Sequence, residues 1–109
     1  VSDLAARKCE PCEGGVVPLT PAEAAAMRAQ LNDGWTIADD AKSLARSFKF
    51  KDFYRTMSFV NAVAHVANTE DHHPDFEAGY DHCRLTFTTH AIGGLSHNDF
   101  ICAAKVDRL

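Results

Sequence analysis

Residues 80–90 read YDHCRLTFTTH, and this stretch decides the fold. Side chains along a strand alternate between two faces. Cys83, Leu85, Phe87 and Thr89 therefore share one face, while Tyr80, His82, Arg84, Thr86, Thr88 and His90 share the other. The first set suits burial under helices, and the second stays open to water or a partner. Such one-sided burial belongs to an antiparallel sheet covered on a single face.

Downstream of this strand, Gly93-Gly94 marks a turn, and Ser96 with Asp99 makes an S-x-x-D cap. A last helix is predicted from there to about Arg108. Upstream, Pro74 ends a long helix predicted over about Asp52 to Thr69, because proline disfavours helical backbone in the residue before it. Phe53, Met57, Val60, Ala64 and Ala67 recur along it at steps of four and three as an apolar stripe. Trp35–Ala38 and Ser43–Phe50 read as strands, joined by a hairpin turn at Asp39-Asp40-Ala41-Lys42. Before them, Thr20, Pro21 and Glu23 form a capping box that opens an alanine-rich helix running to Leu31, with Asn32-Asp33-Gly34 as its stop. Asp75–Ala78 is a further short strand candidate. The chain divides into an extended leader, residues 1–19, and a single domain, residues 20–109. The fold class is α+β, an antiparallel sheet with about three helices packed on one face.

A chain of 109 residues is one domain's worth, and 46% hydrophobic with 24% charged residues is an ordinary globular composition. A formal charge of −4 argues against a surface that tracks nucleic-acid phosphates. No apolar run approaches the ~20 residues a membrane-spanning helix needs, and no signal peptide is visible. A cytoplasmic protein with reduced thiols is expected. Cys9 and Cys12 form a C-x-x-C pair, but no second close pair follows at zinc-site spacing. They read as two incidental thiols in a partly ordered tail, and Cys83 and Cys102 read as small buried hydrophobes.

Histidine is the unusual item: there are six, five of them between His72 and His97. Only histidine titrates unperturbed near neutral pH, so the cluster suggests proton chemistry or metal binding. In Asp71-His72-His73-Pro74, adjacent side chains of an extended segment point opposite ways, so one metal ion rarely takes both imidazoles. His72, His73 and His90 all fall at element ends, where a scaffold presents catalytic groups. His65, His82 and His97 need no special role. Asp99 is explained by capping alone.

NTEDHHP, Tyr80, THAIGGLS and NDF before a helix, with His90 ten residues beyond Tyr80 and Asp99 nine beyond that, resemble the pterin-4a-carbinolamine dehydratase family. FKFKDF before the long helix and DFICAAKVD at the end are also similar to its members. The resemblance spans about Thr20 to Leu109. One position departs: four before His72, where the family is usually acidic, stands Asn68. Glu70 lies two residues from it and is expected to point elsewhere.

The resemblance implies a four-stranded antiparallel sheet, assembled as homodimers or homotetramers. It implies dehydration of 4a-hydroxytetrahydrobiopterin to quinonoid dihydropterin plus water, recycling the tetrahydropterin used by aromatic amino acid hydroxylases. His72, His73 and His90 would be the catalytic acid/base groups. Asp71, Thr88, Thr89 and Asp99 would bind the pterin, which is the substrate, and Asp71 would also orient a neighbouring imidazole. No metal and no separate cofactor is implied. The alternative it carries is a non-catalytic dimerisation cofactor, or transcriptional coactivator, of the same fold. A second rival is a small metal-binding protein using His72, His90 and the leader cysteines.

Overall fold

A computed structural model describes residues 3–11 and 16–109. Four strands, β1 (Thr36–Ile37), β2 (Leu44–Lys49), β3 (Asp75–Ala78) and β4 (His82–Phe87), form one antiparallel sheet in the order β1-β2-β4-β3. Helices α1 (Pro21–Arg28), α2 (Phe53–Glu70) and α3 (His97–Val106) contribute to one core with the sheet's covered face. The α+β class with three helices is as expected.

The register shows why. Leu44 faces Phe87, Arg46 faces Leu85 and Phe48 faces Cys83 across β2 and β4. Directly paired residues share a face, so this row meets the helices, and Leu44, Cys83, Leu85 and Phe87 are all buried. The other side of β4, with His82 and Arg84, is exposed. Trp35 lies just outside β1, buried against Phe48 and Phe87. Its indole N–H donates to Asp107 Oδ1 at 2.8 Å, which also takes Arg46 at 2.6 Å. That carboxylate ties the far end of α3 to the sheet.

Both predicted caps are present. Thr20 and Glu23 exchange side-chain and backbone hydrogen bonds at α1, and Ser96 and Asp99 do so at α3. A side-chain cap contributes about 0.5–2 kcal/mol. Helix α1 ends at Arg28, short of Leu31, because the Arg28 side chain turns to the carbonyls of Asp33 and Trp35 and the chain folds back there.

Two expectations need correction. The face of α2 that packs inward is Thr56, Val63 and Ala67, with Phe59 and Val60 half-buried, and Phe53 is exposed. The helix is phased by Phe59, whose ring lies 4.5 Å from that of Phe48 and 5.1 Å from that of Phe50. Thr56 also hydrogen-bonds the Tyr80 carbonyl, which fixes that side against the sheet. The leader is also more than an extended tail. Leu4 begins a short 3-10 turn, Leu4–Ala6, and is buried in the core. Lys105 Nζ holds the Ala5 carbonyl at 2.8 Å and Arg108 reaches Asp3 at 2.6 Å. Cys12 lies outside the described residues.

Candidate active site

Helix α2 ends at Asp71, which adopts left-handed backbone (φ 53°, ψ 41°). Asp is among the few non-glycine residues that tolerate this conformation. The bend turns the chain sharply, so that the extended residues after it diverge as adjacent side chains must. His72 turns inward, its side chain 13% exposed, and its ring lies parallel to Phe87 at 6.2 Å. His73 faces out, with Nδ1 3.3 Å from the Pro74 carbonyl.

After β4 the chain enters a 3-10 turn, His90–Ile92, stopped by Gly93 in left-handed backbone (φ 66°). Gly93 suits that position because it has no Cβ to clash. The isolated bridge between Thr89 and Gly94 closes the turn and leaves His90 exposed at its start.

Asp99 joins these pieces. It is fully buried in the first turn of α3. One oxygen, Oδ2, accepts from the Ser96 backbone N–H at 3.0 Å and from the Thr89 hydroxyl at 2.8 Å. The other, Oδ1, lies 2.6 Å from His72 Nε2. The capping residue therefore also holds the imidazole. Peptide N–H groups at a helix N-terminus favour negative charge there, which suits a carboxylate that accepts from three groups.

An open cleft of about 540 Å³ is lined by Asp71, His72, His73, Thr88, Thr89, His90 and Ala91, with Thr69, Glu70 and Asn98. Six of the seven residues proposed from the sequence are thus in its lining. Asp99 is not: it stands behind His72, where it positions the ring without reaching the cleft surface. The hydroxyls of the two threonines are also engaged internally. Thr88 donates to the Lys42 carbonyl at 2.6 Å, and Thr89 is bound to Asp99 and Ser96. Asp71 lines the cleft as the helix cap.

The sequence reading missed the rest of the lining. Lys8, Cys9, Glu10 and Pro11 of the leader form part of the cleft. Glu70 Oε1 accepts from the Cys9 N–H at 2.9 Å, while Oε2 lies 3.7 Å from Lys105 Nζ. The Cys9 N–H holds the Glu70 carboxyl below its ordinary range, helped by Lys105 and Lys8 and opposed by burial. Glu70 is engaged by Cys9 and Lys105, and no histidine is among its bonded partners. Asn98 grips Glu10 from both sides, its Oδ1 taking the N–H at 3.0 Å and its Nδ2 donating to the carbonyl. No period or spacing in the leader signals this docking. Among the described residues, no group of three or more metal-ligating side chains converges. No described helix is long and apolar enough to cross a membrane.

Comparison with known proteins bears on the same residues. The sequence profile of the family described as pterin 4 alpha carbinolamine dehydratase matches residues 17–109. A relative from Nitrosomonas eutropha, provisionally named a pterin-4-alpha-carbinolamine dehydratase, is 61% identical over all of this chain and 95% of its own length. One from Legionella pneumophila (strain Corby), with the same provisional name, is 52% identical over 99% of this chain and 96% of its own. Among solved structures, a transcriptional coactivator/pterin dehydratase from Brucella melitensis superposes with TM-score 0.78 at 34% identity, covering 84% of this chain and 96% of that one. A pterin dehydratase-like protein, identified as a RuBisCO assembly factor in the α-carboxysome, shares the fold at TM-score 0.61 and 20% identity. It covers 71% of this chain and 89% of that one.

Proposed function

The chain belongs to the pterin-4a-carbinolamine dehydratase family, and on that premise we propose that it removes water from a 4a-hydroxytetrahydropterin to give the quinonoid dihydropterin. It is a lyase that works by histidine general acid/base catalysis. The observation that carries this reading is His72, held by the buried Asp99 at 2.6 Å in a cleft that His73 and His90 also line.

The reaction breaks the C4a–O bond and forms a C4a=N5 double bond. A proton must reach the departing hydroxyl, and one must leave N5. No oxidation state changes, so no electron acceptor is needed. Imidazoles serve both transfers, and a positioned acid or base is worth about 10²–10⁴-fold in rate. With Nε2 turned to Asp99, His72 has Nδ1 left to exchange a proton with substrate. Asp99 fixes that ring orientation, as carboxylates do for histidines. His90 and His73, both exposed at the cleft, take the opposite half of the proton traffic and hold the pterin. With both threonine hydroxyls occupied, the 88–89 segment meets the ring through its backbone. The reading places the chain after an aromatic amino acid hydroxylase, in tetrahydropterin recycling. A binding role without catalysis gives no reason for a carboxylate-held imidazole in a cleft that two further histidines line.

The test is stopped-flow absorbance with freshly generated 4a-hydroxytetrahydropterin. Wild-type protein should accelerate dehydration, and His72→Ala and His90→Ala should each lose about 10²–10⁴-fold in kcat with unchanged circular dichroism. A wild-type rate equal to that of buffer would overturn the proposal.

A further inference from the structure

Two thiols from opposite ends of the chain meet beside the cleft. Cys9 belongs to the leader and Cys102 to the second turn of α3, and their Sγ atoms are 3.4 Å apart. Neither takes part in the dehydration proposed above. The contact is not that of a loose tail brushing a helix. Glu70 holds the Cys9 N–H and Asn98 holds both backbone groups of Glu10, so the Cys9 side chain is fixed over its partner.

The two thiols are unequal in a useful way. Cys102 is fully buried, and its thiol is pushed well above the ordinary range, first by its contact with Cys9 and then by burial. Its Sγ also lies 3.7 Å from the His72 carbonyl. Cys9 is half-buried and lines the open cleft. An oxidant therefore meets Cys9 first, and the species it forms has a second sulfur already in contact.

We propose that Cys9 and Cys102 are a reversible thiol–disulfide modification site, oxidised by peroxide, that locks the leader side of the cleft to α3. The Cys9 sulfur attacks one peroxide oxygen, the O–O bond breaks, and a sulfenic acid and one water form. The Cys102 sulfur then attacks the Cys9 sulfur, and the S–O bond breaks. The hydroxyl leaves with the Cys102 proton as a second water. Two thiols lose two electrons in all, and one hydrogen peroxide becomes two waters. A dithiol reverses the change by exchange. Forming the bond needs the sulfurs to close from 3.4 Å to about 2.0 Å. The link would join residues 93 apart in sequence, and restraining so long a loop stabilises strongly when native geometry is kept.

The experiment treats reduced full-length chain with a small excess of hydrogen peroxide, then maps cross-linked peptides by mass spectrometry without reduction. Wild type and Cys12→Ser should both yield a Cys9–Cys102 link that dithiothreitol removes, and Cys9→Ser should yield none involving Cys102. The linked form should melt at least about 5 °C higher than the reduced form. A link between Cys9 and Cys12, or sulfinic acid at Cys9 with no intramolecular link, would overturn the proposal. The readout does not depend on dehydratase activity, so the two proposals fail separately.

Discussion

The histidine side of the cleft is made from the ends of regular elements, whereas its leader side, Lys8 to Pro11, has no helix or strand of its own. His72 follows the cap of α2, His90 opens the turn after β4, and both connect to Asp99 in the first turn of α3, His90 through its neighbour Thr89. One buried carboxylate thus organises that side. The leader side hangs on separate clamps, Glu70 from α2 and Asn98 and Lys105 from α3. The difference teaches that rigidity near a site comes by two routes. One is a network whose members fail together, and the other is a row of contacts that fail one by one.

Breaking the network should have the largest effect. Asp99→Ala leaves the His72 ring, the Thr89 hydroxyl and the Ser96 N–H without their acceptor. Urea unfolding should show a loss of about 3–5 kcal/mol, the range for removing one partner of a buried polar pair. Asp99→Asn keeps the shape and should separate the roles, with kcat falling far more than stability. Equal losses in both would mean that Asp99 serves the fold alone.

Breaking one leader clamp should cost less and stay local. Asn98→Ala should lose about 0.5–1.5 kcal/mol, the net worth of a hydrogen bond to backbone that water can reach once the amide is gone. Hydrogen exchange should quicken at Cys9 and Glu10 while the amides of β4 stay protected. Exchange rising equally in β4 would erase the contrast between the two sides.

Glu70→Gln probes the same clamp through pH. The folded carboxyl lies below its ordinary value of 4.5, chiefly because it accepts the Cys9 N–H. Its contribution is therefore complete above the ordinary carboxylate range and disappears as pH falls through the lowered value. Wild type should exceed Glu70→Gln by about 1 kcal/mol near neutral pH, and the two urea curves should converge in acid. A gap that widens on acidification would show the opposite sign. Smallest of all, Arg108→Ala removes an exposed pair with Asp3 and should change stability by less than about 0.5 kcal/mol.

The histidine side was also the legible side. The alternation of β4 predicted burial of Cys83, Leu85, Phe87 and Thr89, and all four are buried. The Ser96–Asp99 cap was readable because its partners sit three residues apart. That Asp99 has a second oxygen free to hold His72, 27 residues away, was not readable from capping. The stripe on α2 was legible at Val60 and Ala67 but not at Phe53 or Thr56, because an aromatic contact from Phe59 to β2 shares in setting the helix's rotation, and periodicity alone admits neighbouring faces. Edge strand β3 was faint because all four of its residues are exposed, so it carries no alternation.

By itself the sequence determined what short-range rules encode: period-2 burial, capping boxes, the proline stop, and three imidazoles at element ends. The tertiary structure decided which of these meet. It placed Asp99 behind His72, brought Glu70 and Asn98 to the leader, and set Cys9 against Cys102. The physical reason is range. Strand, helix and cap patterns repeat within a few residues, whereas these contacts join groups 27 to 93 residues apart and leave no period behind.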